Sequence, residues 1–193
     1  MSLRLKGITK RFRKKVILEN FSYEFEETGV YVIKADSGVG KTTLLRIISG
    51  LDKDYSGTVH GGGAKNVSYA FQEYRLFPSL TALQNVLVAR NEESAESVEA
   101  AKSILLSLGL TEEELSLKPC ELSGGMKQRV SLSRALFKDS PVLLLDEPTK
   151  ELDNRLREKV CSLVEIEAER RLVILVTHGD EDTLLENATL IEL

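Results

Sequence analysis

The sequence contains few cysteines and no long apolar run. Its two cysteines, Cys120 and Cys161, form neither a CxxC pair nor a metal-ligand spacing, so neither a disulfide framework nor a zinc site is expected. Two free thiols favour a reducing cytoplasm. The longest apolar runs, at residues 142–145 and 172–176, are far shorter than the ~20 residues that a bilayer-spanning helix needs. At a membrane, this chain would therefore need a separate membrane-spanning partner.

The charge of the chain also excludes some functions. A formal net charge of −4 argues against a nucleic-acid partner held by bulk electrostatics. The basic stretch at residues 4–15 alternates like a pair of strands with a solvated face, and no apolar run within it indicates a secretory signal. A hydrophobic content of 42% in 193 residues is enough for one folded domain with a sizeable core.

Three short segments are wholly apolar, at residues 30–33, 142–145 and 172–176. Such runs are typical of strands that are buried on both faces of a parallel sheet. A polar cluster follows each run within a few residues. Because ligands of open α/β sheets bind beyond the carboxyl ends of the strands, we expect these clusters to form one site at one edge of the sheet.

The remaining segments have other periodicities. Ala101, Ile104, Leu105 and Leu108 have helical spacing, which predicts an α-helical subdomain over residues 73–140. Residues 1–34 alternate like antiparallel strands, and residues 57–59 and 67–70 are predicted to add two more, joined by a turn at residues 61–63. The prediction is one α/β domain over residues 1–193, with a mostly parallel core and an antiparallel β subdomain in residues 1–72 and 141–193.

The segment ADSGVGKTT, at residues 35–43, follows a predicted strand and opens a helical run, as a phosphate-binding P-loop does. Backbone N–H groups and the helix N-terminus would bind phosphates, Lys41 would contact the β- and γ-phosphates, and Thr42 would hold Mg²⁺. A glycine turn before a buried helix is the alternative. Ala35 replaces the usual first glycine, at a cost of about 1 kcal/mol if positive φ is needed there. The predicted nucleotide-binding residues of the loop are Asp36, Ser37, Gly38, Val39, Gly40, Lys41, Thr42 and Thr43.

Asp146 and Glu147 follow the second apolar run. At the tip of a strand, Asp146 would lie near the metal, whereas Glu147 would face elsewhere and reach a water in line with the γ-phosphate. An acidic pair can also simply end a strand. The P-loop upstream favours the functional interpretation.

Residues 122–129 read LSGGMKQR, in which Ser123 is a good N-cap for the helical run that follows. An ordinary capped helix is the alternative to an anion site. Together with VLLLDEPT at residues 142–149, this segment resembles the signature and Walker B motifs of the ABC ATPase family. The resemblance covers nearly the whole chain. It implies a P-loop NTPase (RecA-like) fold, ATP and Mg²⁺ as ligands, and ATP hydrolysis.

The resemblance also implies catalytic roles. Gln72 matches the glutamine that contacts Mg²⁺ and the attacking water, and Asp146 matches the acid that holds Mg²⁺ with Thr42. Glu147 matches the general base, and His178 matches the histidine that contacts the γ-phosphate. With Lys41 of the P-loop, these residues form the predicted active site.

Further positions match binding residues of the family. Phe12 matches the aromatic residue that stacks on adenine, with a core strand residue as the alternative. Ser123, Gly124 and Gly125 match residues that contact the nucleotide held by a second subunit, and Asp153 matches the aspartate that links the two sites. Because each motif occurs once, a complete site would need two chains, most simply a two-fold homodimer that closes on ATP and opens after hydrolysis.

The sequence FQEYRLFPSLTALQNV, at residues 71–86, resembles importer ATPases of the nitrate, sulfonate and taurine type, and residues 118–121 are similar to importer forms. This resemblance favours a subunit that energises solute import, lies on the cytoplasmic face of the cell membrane, and works with permease subunits and a solute-binding protein. The chain ends at Leu193, so we expect no regulatory C-terminal domain. The apolar side chains of Leu76, Phe77, Pro78 and Leu80 would either dock the permease or pack inside the helical subdomain.

Other functions remain as alternatives. A complex that transmits force or releases lipoproteins would use identical site chemistry. Chromosome and DNA-repair relatives contain very long coiled coils, which this chain is too short to include. A GTPase would need an NKxD-type motif, and the nearest match is TKEL at residues 149–152. A nucleotide binder without hydrolysis is disfavoured because Gln72, Glu147 and His178 are all present.

Overall fold

The computed structural model describes residues 2–13, 15–34, 39–90, 94–150, 152–177 and 185–193. These residues form eight strands and five α-helices. The strands are β1 (Arg4–Phe12), β2 (Lys15–Glu24), β3 (Gly29–Lys34), β4 (Ser56–His60), β5 (Val67–Ala70), β6 (Val142–Asp146), β7 (Leu172–Val176) and β8 (Ala188–Glu192). The helices are α1 (Lys41–Ile48), α2 (Ala82–Leu87), α3 (Ala95–Ser107), α4 (Gly124–Phe137) and α5 (Asn154–Ala168). Short 3₁₀ helices at Glu114–Ser116 and Pro119–Glu121 precede α4.

A parallel sheet with the strand order β5-β6-β7-β3-β8 forms the centre of the molecule. Every residue of β6 and β7 is buried, as their unbroken apolar sequences predict. Side chains on one face, including Leu144 and Ile174, pack with α1 and the β1–β2 pair. Those on the other face, including Leu143 and Val173, pack with α4 and α5. The predicted α/β fold with a mostly parallel core sheet is confirmed.

A second, antiparallel sheet has the order β2-β1-β4 and confirms the predicted antiparallel β subdomain. Its basic residues do not all face solvent, however. Lys10 is only 3% exposed, and its Nζ lies 2.9 Å from the Asp52 carboxylate and 3.3 Å from that of Asp54. Arg4, Lys6 and Arg11 are exposed, in agreement with the solvated face that the alternation predicts, whereas Lys10 is buried with its charge paired in the interior.

The prediction that residues 67–70 add an antiparallel strand, joined to residues 57–59 by a turn at residues 61–63, was wrong. Strand β4 pairs with β1, whereas β5 pairs in parallel with β6, so the glycine segment crosses from one sheet to the other. A Cβ added at Gly62 would lie 2.4 Å from the carbonyl oxygen of Ile48. The segment is glycine-rich because it passes closely over the end of α1, rather than because it reverses the chain.

The helices α2, α3 and α4 pack around a core of their own, as the helical spacing predicts. Ala101 and Leu105 of α3 are fully buried there, beside Val130 and Phe137 of α4. The opposite side of α4 packs on the parallel sheet through Leu132 and its neighbours. Helix α4 therefore joins the helical region to the sheet. Within the part of the chain that the structure describes, no helix combines the length and the hydropathy needed to cross a membrane.

Candidate functional site

The candidate site is a cavity of about 650 Å³ at the carboxyl edge of the parallel sheet. Residues that follow β3, β5 and β6 line it together with Val176, the last residue of β7, as the positions of the first two polar clusters predict. The lining residues come from both sheets, from the start of α1 and from the turn after β6. They are Phe12, Ile17, Gly40, Lys41, Thr42, Thr43, Gln72, Glu147, Lys150 and Val176.

One wall of the cavity is the N-terminus of α1. Gly40 is the N-cap residue and has a φ of 122°, a conformation that favours glycine, and an added Cβ there would lie 2.5 Å from Cγ2 of Ile17. Gly40 has no side chain that could cap this helix, and the N-terminus of a helix favours an anion. Lys41 begins the helix and is only 5% exposed. This wall can bind a phosphate group through backbone N–H groups and one cation.

Asp146 lies at the tip of β6 and is 2% exposed. The Thr42 hydroxyl donates to its Oδ1 at 3.2 Å, and the Tyr69 hydroxyl donates to its Oδ2 at 3.1 Å. Burial raises the pKa of Asp146 and the charge of Glu147 adds to this effect, whereas the two hydrogen bonds oppose it. Burial, with the nearby charge of Asp146, also raises the pKa of Tyr69, so this hydroxyl remains a donor. The carboxylate is thus oriented and desolvated, and a cation would stabilise it.

The oxygen atoms around Asp146 fit Mg²⁺ better than they fit zinc. The metal-side groups are a hydroxyl, on Thr42, and one carboxylate. Mg²⁺ is commonly held by one or two carboxylates together with substrate phosphates. The described residues contain no group of three or more His, Cys, Asp or Glu side chains that could hold a metal by themselves.

Glu147 has a left-handed backbone conformation, with a φ of 51°, which costs on the order of 1 kcal/mol for a non-glycine residue. Hydrogen bonds support this turn: its N–H donates to the Val176 carbonyl at 2.8 Å, and Gln128 Nε2 donates to its carbonyl at 3.3 Å. The carboxylate lines the cavity. Its Oε2 accepts from Gln72 Nε2 at 3.1 Å and lies 3.3 Å from Lys150 Nζ. The turn therefore places the Glu147 carboxylate in the cavity, whereas the Asp146 carboxylate lies in the interior against the hydroxyls of Thr42 and Tyr69.

The residues that are predicted to act on a second subunit's nucleotide lie outside this cavity. Ser123 is exposed and caps α4, with its Oγ accepting from the N–H of Met126 at 3.3 Å. Asp153 is exposed and caps α5. Among the described residues, the lining of the cavity at Lys41 includes neither of these residues, nor Gly124 or Gly125. Their role in a second chain's site stays a prediction.

Some predicted residues cannot be located. Asp36, Ser37, Gly38 and His178 lie outside the described residues, as does Ala35. Val39 is described and is a half-buried loop residue directly before Gly40.

Three residues of this region were missed by sequence reasoning: Tyr69, Gln128 and Lys150. Gln128 is 4% exposed and donates to the carbonyls of Glu147 and Pro148. A signal existed for Tyr69, because a hydroxyl near the end of a buried strand needs a polar partner. No local signal exists for Gln128 or Lys150, since each depends on the shape of the turn at Glu147.

The buried charge of Asp146 leads to a prediction about stability. Because its pKa is raised in the folded chain, ionisation disfavours folding, and this cost is present at neutral pH and absent well below pH 4. We expect Asp146→Asn to raise the free energy of unfolding at pH 7 by on the order of 1 kcal/mol. Urea unfolding in EDTA, at pH 7 and at acidic pH, measures this effect. An equal gain at both pH values, or a loss at pH 7, would contradict the assignment.

Comparison with known proteins gives a consistent result. A family profile described as "ABC transporter" matches residues 18–150. The chain is 37% identical over 205 residues to an Fe(3+) ions import ATP-binding protein of Brucella abortus, covering 98% of this chain and 58% of that protein. It is 37% identical to an aliphatic sulfonates import ATP-binding protein of Delftia acidovorans, covering 95% of this chain and 76% of the relative.

Two further proteins are similar to this chain over nearly the full length of both compared chains. A lipoprotein-releasing system ATP-binding protein of Bacteroides thetaiotaomicron is 36% identical, over 92% of this chain and 90% of the relative. The dimeric structure of a bacterial ABC transporter cassette, MJ0796, superposes with a TM-score of 0.85 and 30% identity, over 98% of this chain and 94% of that one. By contrast, the chain spans little more than half the length of the iron-import and sugar-import relatives that it matches.

Proposed function

Since this chain belongs to the ABC transporter family, we propose that it binds and hydrolyses ATP as the energy-supplying subunit of a membrane transporter, with solute import as its task. One observation carries the proposal: Lys41 and Thr42 at a helix N-terminus line one cavity with the Gln72–Glu147 pair, and the buried Asp146 is hydrogen-bonded to Thr42. The test is phosphate release from ATP by the purified protein, alone and with its co-purified membrane subunits, with and without Mg²⁺. No Mg²⁺-dependent release in either preparation would overturn it.

ATP would bind across the cavity. The phosphates would contact the N–H groups at the start of α1 and the ammonium group of Lys41. Asp36, Ser37, Gly38, Val39 and Thr43 are proposed to complete the phosphate loop. The adenine would stack on Phe12, whose ring is 51% exposed at the end of β1 and lies 4.9 Å from Lys10 Nζ. The exposure of the ring supports the stacking role over the alternative of a core residue.

Thr42, Asp146 and Gln72 are proposed to hold Mg²⁺, which when bound would neutralise charge on the transferred phosphate. Glu147 would accept the proton of the attacking water, because its carboxylate lines the cavity while that of Asp146 is buried behind it. Gln72 and Lys150 would hold this carboxylate in place through the contacts to Oε2. The resemblance adds His178 as a contact of the γ-phosphate.

A second copy of the chain is proposed to complete the site. Ser123, Gly124, Gly125 and Asp153 are separate from the cavity of their own chain, and the similar MJ0796 cassette is described as dimeric. A two-fold homodimer would place the N-terminus of α4 against the partner's nucleotide. ATP would then hold the dimer closed, and hydrolysis would open it.

A second cavity, of about 410 Å³, is the proposed docking groove for the permease, and it lies between β5, the loop at residues 71–77 and α4. Phe77 is 49% exposed there, which supports the docking role for this residue, whereas Leu76 packs against the helical core. The groove is also lined by Arg75, Arg134 and Lys138. A cytoplasmic permease segment with apolar side chains and a carboxylate would complement this surface.

We further propose that the chain is one ABC ATPase domain, with residues 1–72 and 141–193 as the core and residues 73–140 as the helical subdomain. It would lie on the cytoplasmic face of the cell membrane through its permease and would take no nucleic-acid partner. For import, a solute-binding protein would complete the system.

The docking groove leads to a testable outcome. We expect Phe77→Ser to reduce co-purification with the membrane subunits about tenfold or more, because a central aromatic anchor is typically worth about 2 kcal/mol, while ATP binding by the isolated chain stays within about twofold. Ile166→Ser is the control, since Ile166 is 57% exposed on α5, away from the groove. Quantitative pull-down of the complex measures the effect. Equal recovery of both variants would exclude the groove.

A force-transmitting or lipoprotein-releasing complex is the second candidate, supported by the Bacteroides relative. The iron-import and sulfonate-import relatives favour import. The co-purifying membrane subunit decides between them: a polytopic permease with a solute-binding protein supports import, whereas a large extracytoplasmic domain on the partner supports force transmission.

A further inference from the structure

We propose that Tyr69 is a positioning residue for the metal-side carboxylate of Asp146, and that Tyr69, Phe71 and Arg75 form a stacked connection from this carboxylate to the docking groove. We call these three side chains the Tyr69 stack. The inference rests on the proposed function, since it assigns a role in ATP and Mg²⁺ binding to residues between the two cavities.

The first step is the hydrogen bond between Tyr69 and Asp146. Asp146 has one oxygen paired with the Thr42 hydroxyl and the other paired with the Tyr69 hydroxyl. The oxygen that faces Thr42 is on the proposed metal side. The hydrogen bond from the Tyr69 hydroxyl to the other oxygen therefore fixes the rotation of the carboxylate. Partners that orient a metal-binding group in this way typically change metal affinity 10- to 100-fold when they are removed.

The second step is the stack itself. The rings of Tyr69 and Phe71 lie with centroids 4.0 Å apart and planes 26° apart. The guanidinium of Arg75 lies on Phe71, with Cζ 4.1 Å from the ring centroid. The Tyr69 ring therefore cannot swing without displacing Phe71, and Phe71 is held in turn by Arg75.

The third step is the position of the stack. Tyr69, Phe71 and Arg75 all line the docking groove. Arg134 of α4 donates to the carbonyl of Arg75 at 2.8 Å and to that of Tyr74 at 3.1 Å, so the helical region supports this end of the stack. A protein segment bound in the groove would contact Arg75 and Phe71. Phe71 stacks on Tyr69, which donates to Asp146.

Gln72 lies outside the Tyr69 stack. Gln72 contacts the carboxylate of Glu147 and lines the nucleotide cavity, and it is absent from the lining of the groove among the described residues. The proposed general base is therefore hydrogen-bonded to Gln72, in the nucleotide cavity, whereas the proposed metal-side acid is hydrogen-bonded to Tyr69, which lines the groove. The Tyr69 stack is the link that begins on the groove surface.

The hydroxyl is tested with Tyr69→Phe, which keeps the ring and its stacking. Binding of a fluorescent ATP analogue is titrated with MgCl₂, and we expect the half-saturating Mg²⁺ concentration to rise about tenfold, with binding in EDTA unchanged within about twofold. Tyr23→Phe is the matched control, because Tyr23 packs among Phe25 and Tyr31 near the antiparallel sheet. An unchanged Mg²⁺ requirement in Tyr69→Phe overturns the positioning role.

The stack is tested with Phe71→Leu, alone and combined with Tyr69→Phe. If the stack holds the hydroxyl, Phe71→Leu raises the half-saturating Mg²⁺ concentration several-fold, and the double variant resembles Tyr69→Phe alone, because coupled residues are not additive. Multiplicative effects would show that the two act independently, and would overturn the connection. Arg75→Met is expected to shift the Mg²⁺ requirement in the same direction, whereas Ile166→Ala, at an exposed position of α5 outside the groove, is expected to leave it unchanged.

The outcomes separate this inference from the proposed function. A wild-type chain that binds no ATP analogue with Mg²⁺ overturns the proposed function. A wild-type chain that binds normally, with Tyr69→Phe indistinguishable from it, overturns only the role of Tyr69. Thermal unfolding of each variant in EDTA identifies any loss of binding that arises from unfolding.

Discussion

Glu147→Gln is expected to bind ATP with wild-type affinity but to hydrolyse it at least about a hundredfold more slowly, the usual contribution of a positioned general base. Glutamine keeps the size of the side chain and an oxygen that can accept from Gln72 and Lys150, the two partners of Glu147 Oε2. It cannot take the proton of the attacking water. With ATP and Mg²⁺ the variant is expected to accumulate as an ATP-bound dimer. Size exclusion measures the dimer, and phosphate release measures the rate of hydrolysis.

The matched control for this variant is Glu19→Gln, at an exposed position of β2. It makes the same change of charge away from the cavity, and both the rate and the oligomeric state should stay as in the wild type. If Glu147→Gln hydrolysed ATP normally, Glu147 would not be the base. If it lost ATP binding instead, the carboxylate would be a structural element of the turn after β6 rather than a chemical group.

The parallel sheet and its active edge were predictable because their signals are local. Unbroken apolar runs, as in β6 and β7, can be buried only between two layers, and the chain must then place the following polar residues at one edge. The start of α1 likewise follows from a short pattern, in which Gly40 is the N-cap and Lys41 is the first helical residue. Such features need no knowledge of distant contacts.

The pairing of β4 and β5 was not predictable from the same kind of signal. Three glycines between two short strands indicate a turn, and only the surroundings of Gly62, against the end of α1, show that the segment is a crossover. Lys10 is a similar case, because its burial depends on Asp52 and Asp54, which lie about forty residues away in the chain. Alternation places a residue on a face, but it does not reveal a buried ion pair.

Gln128 shows how the candidate site depends on long-range contacts. It lies on α4, the helix that Ser123 caps, and it donates to carbonyls of the turn that carries Glu147. The helix that is proposed to contact the partner's nucleotide is thus hydrogen-bonded to the turn that carries the proposed general base of its own chain. The motif match assigns Ser123 to the partner's site and Glu147 to the chain's own site, whereas the hydrogen bonds of Gln128 connect the helix that begins at Ser123 to the turn of Glu147 within one chain.

Ser123→Arg, introduced into the Glu147→Gln background, is expected to abolish the ATP-bound dimer while leaving the ATP affinity of the single chain within about twofold. An arginine at this exposed N-cap would fill the space that the partner's γ-phosphate needs and would remove the cap of α4. Size exclusion with ATP and Mg²⁺ measures the dimer, and binding of a fluorescent ATP analogue at low protein concentration measures the affinity of the single chain.

Ser162→Arg in the same background is the control, because Ser162 is exposed on α5 and a similar charge is added there without touching the N-terminus of α4. This variant should still form the ATP-bound dimer. Persistence of the dimer in Ser123→Arg would remove Ser123 from the interface. Weakened ATP binding by the single chain would instead mean that Ser123 acts on the nucleotide of its own subunit, either directly or through the contact of Gln128 with the turn of Glu147.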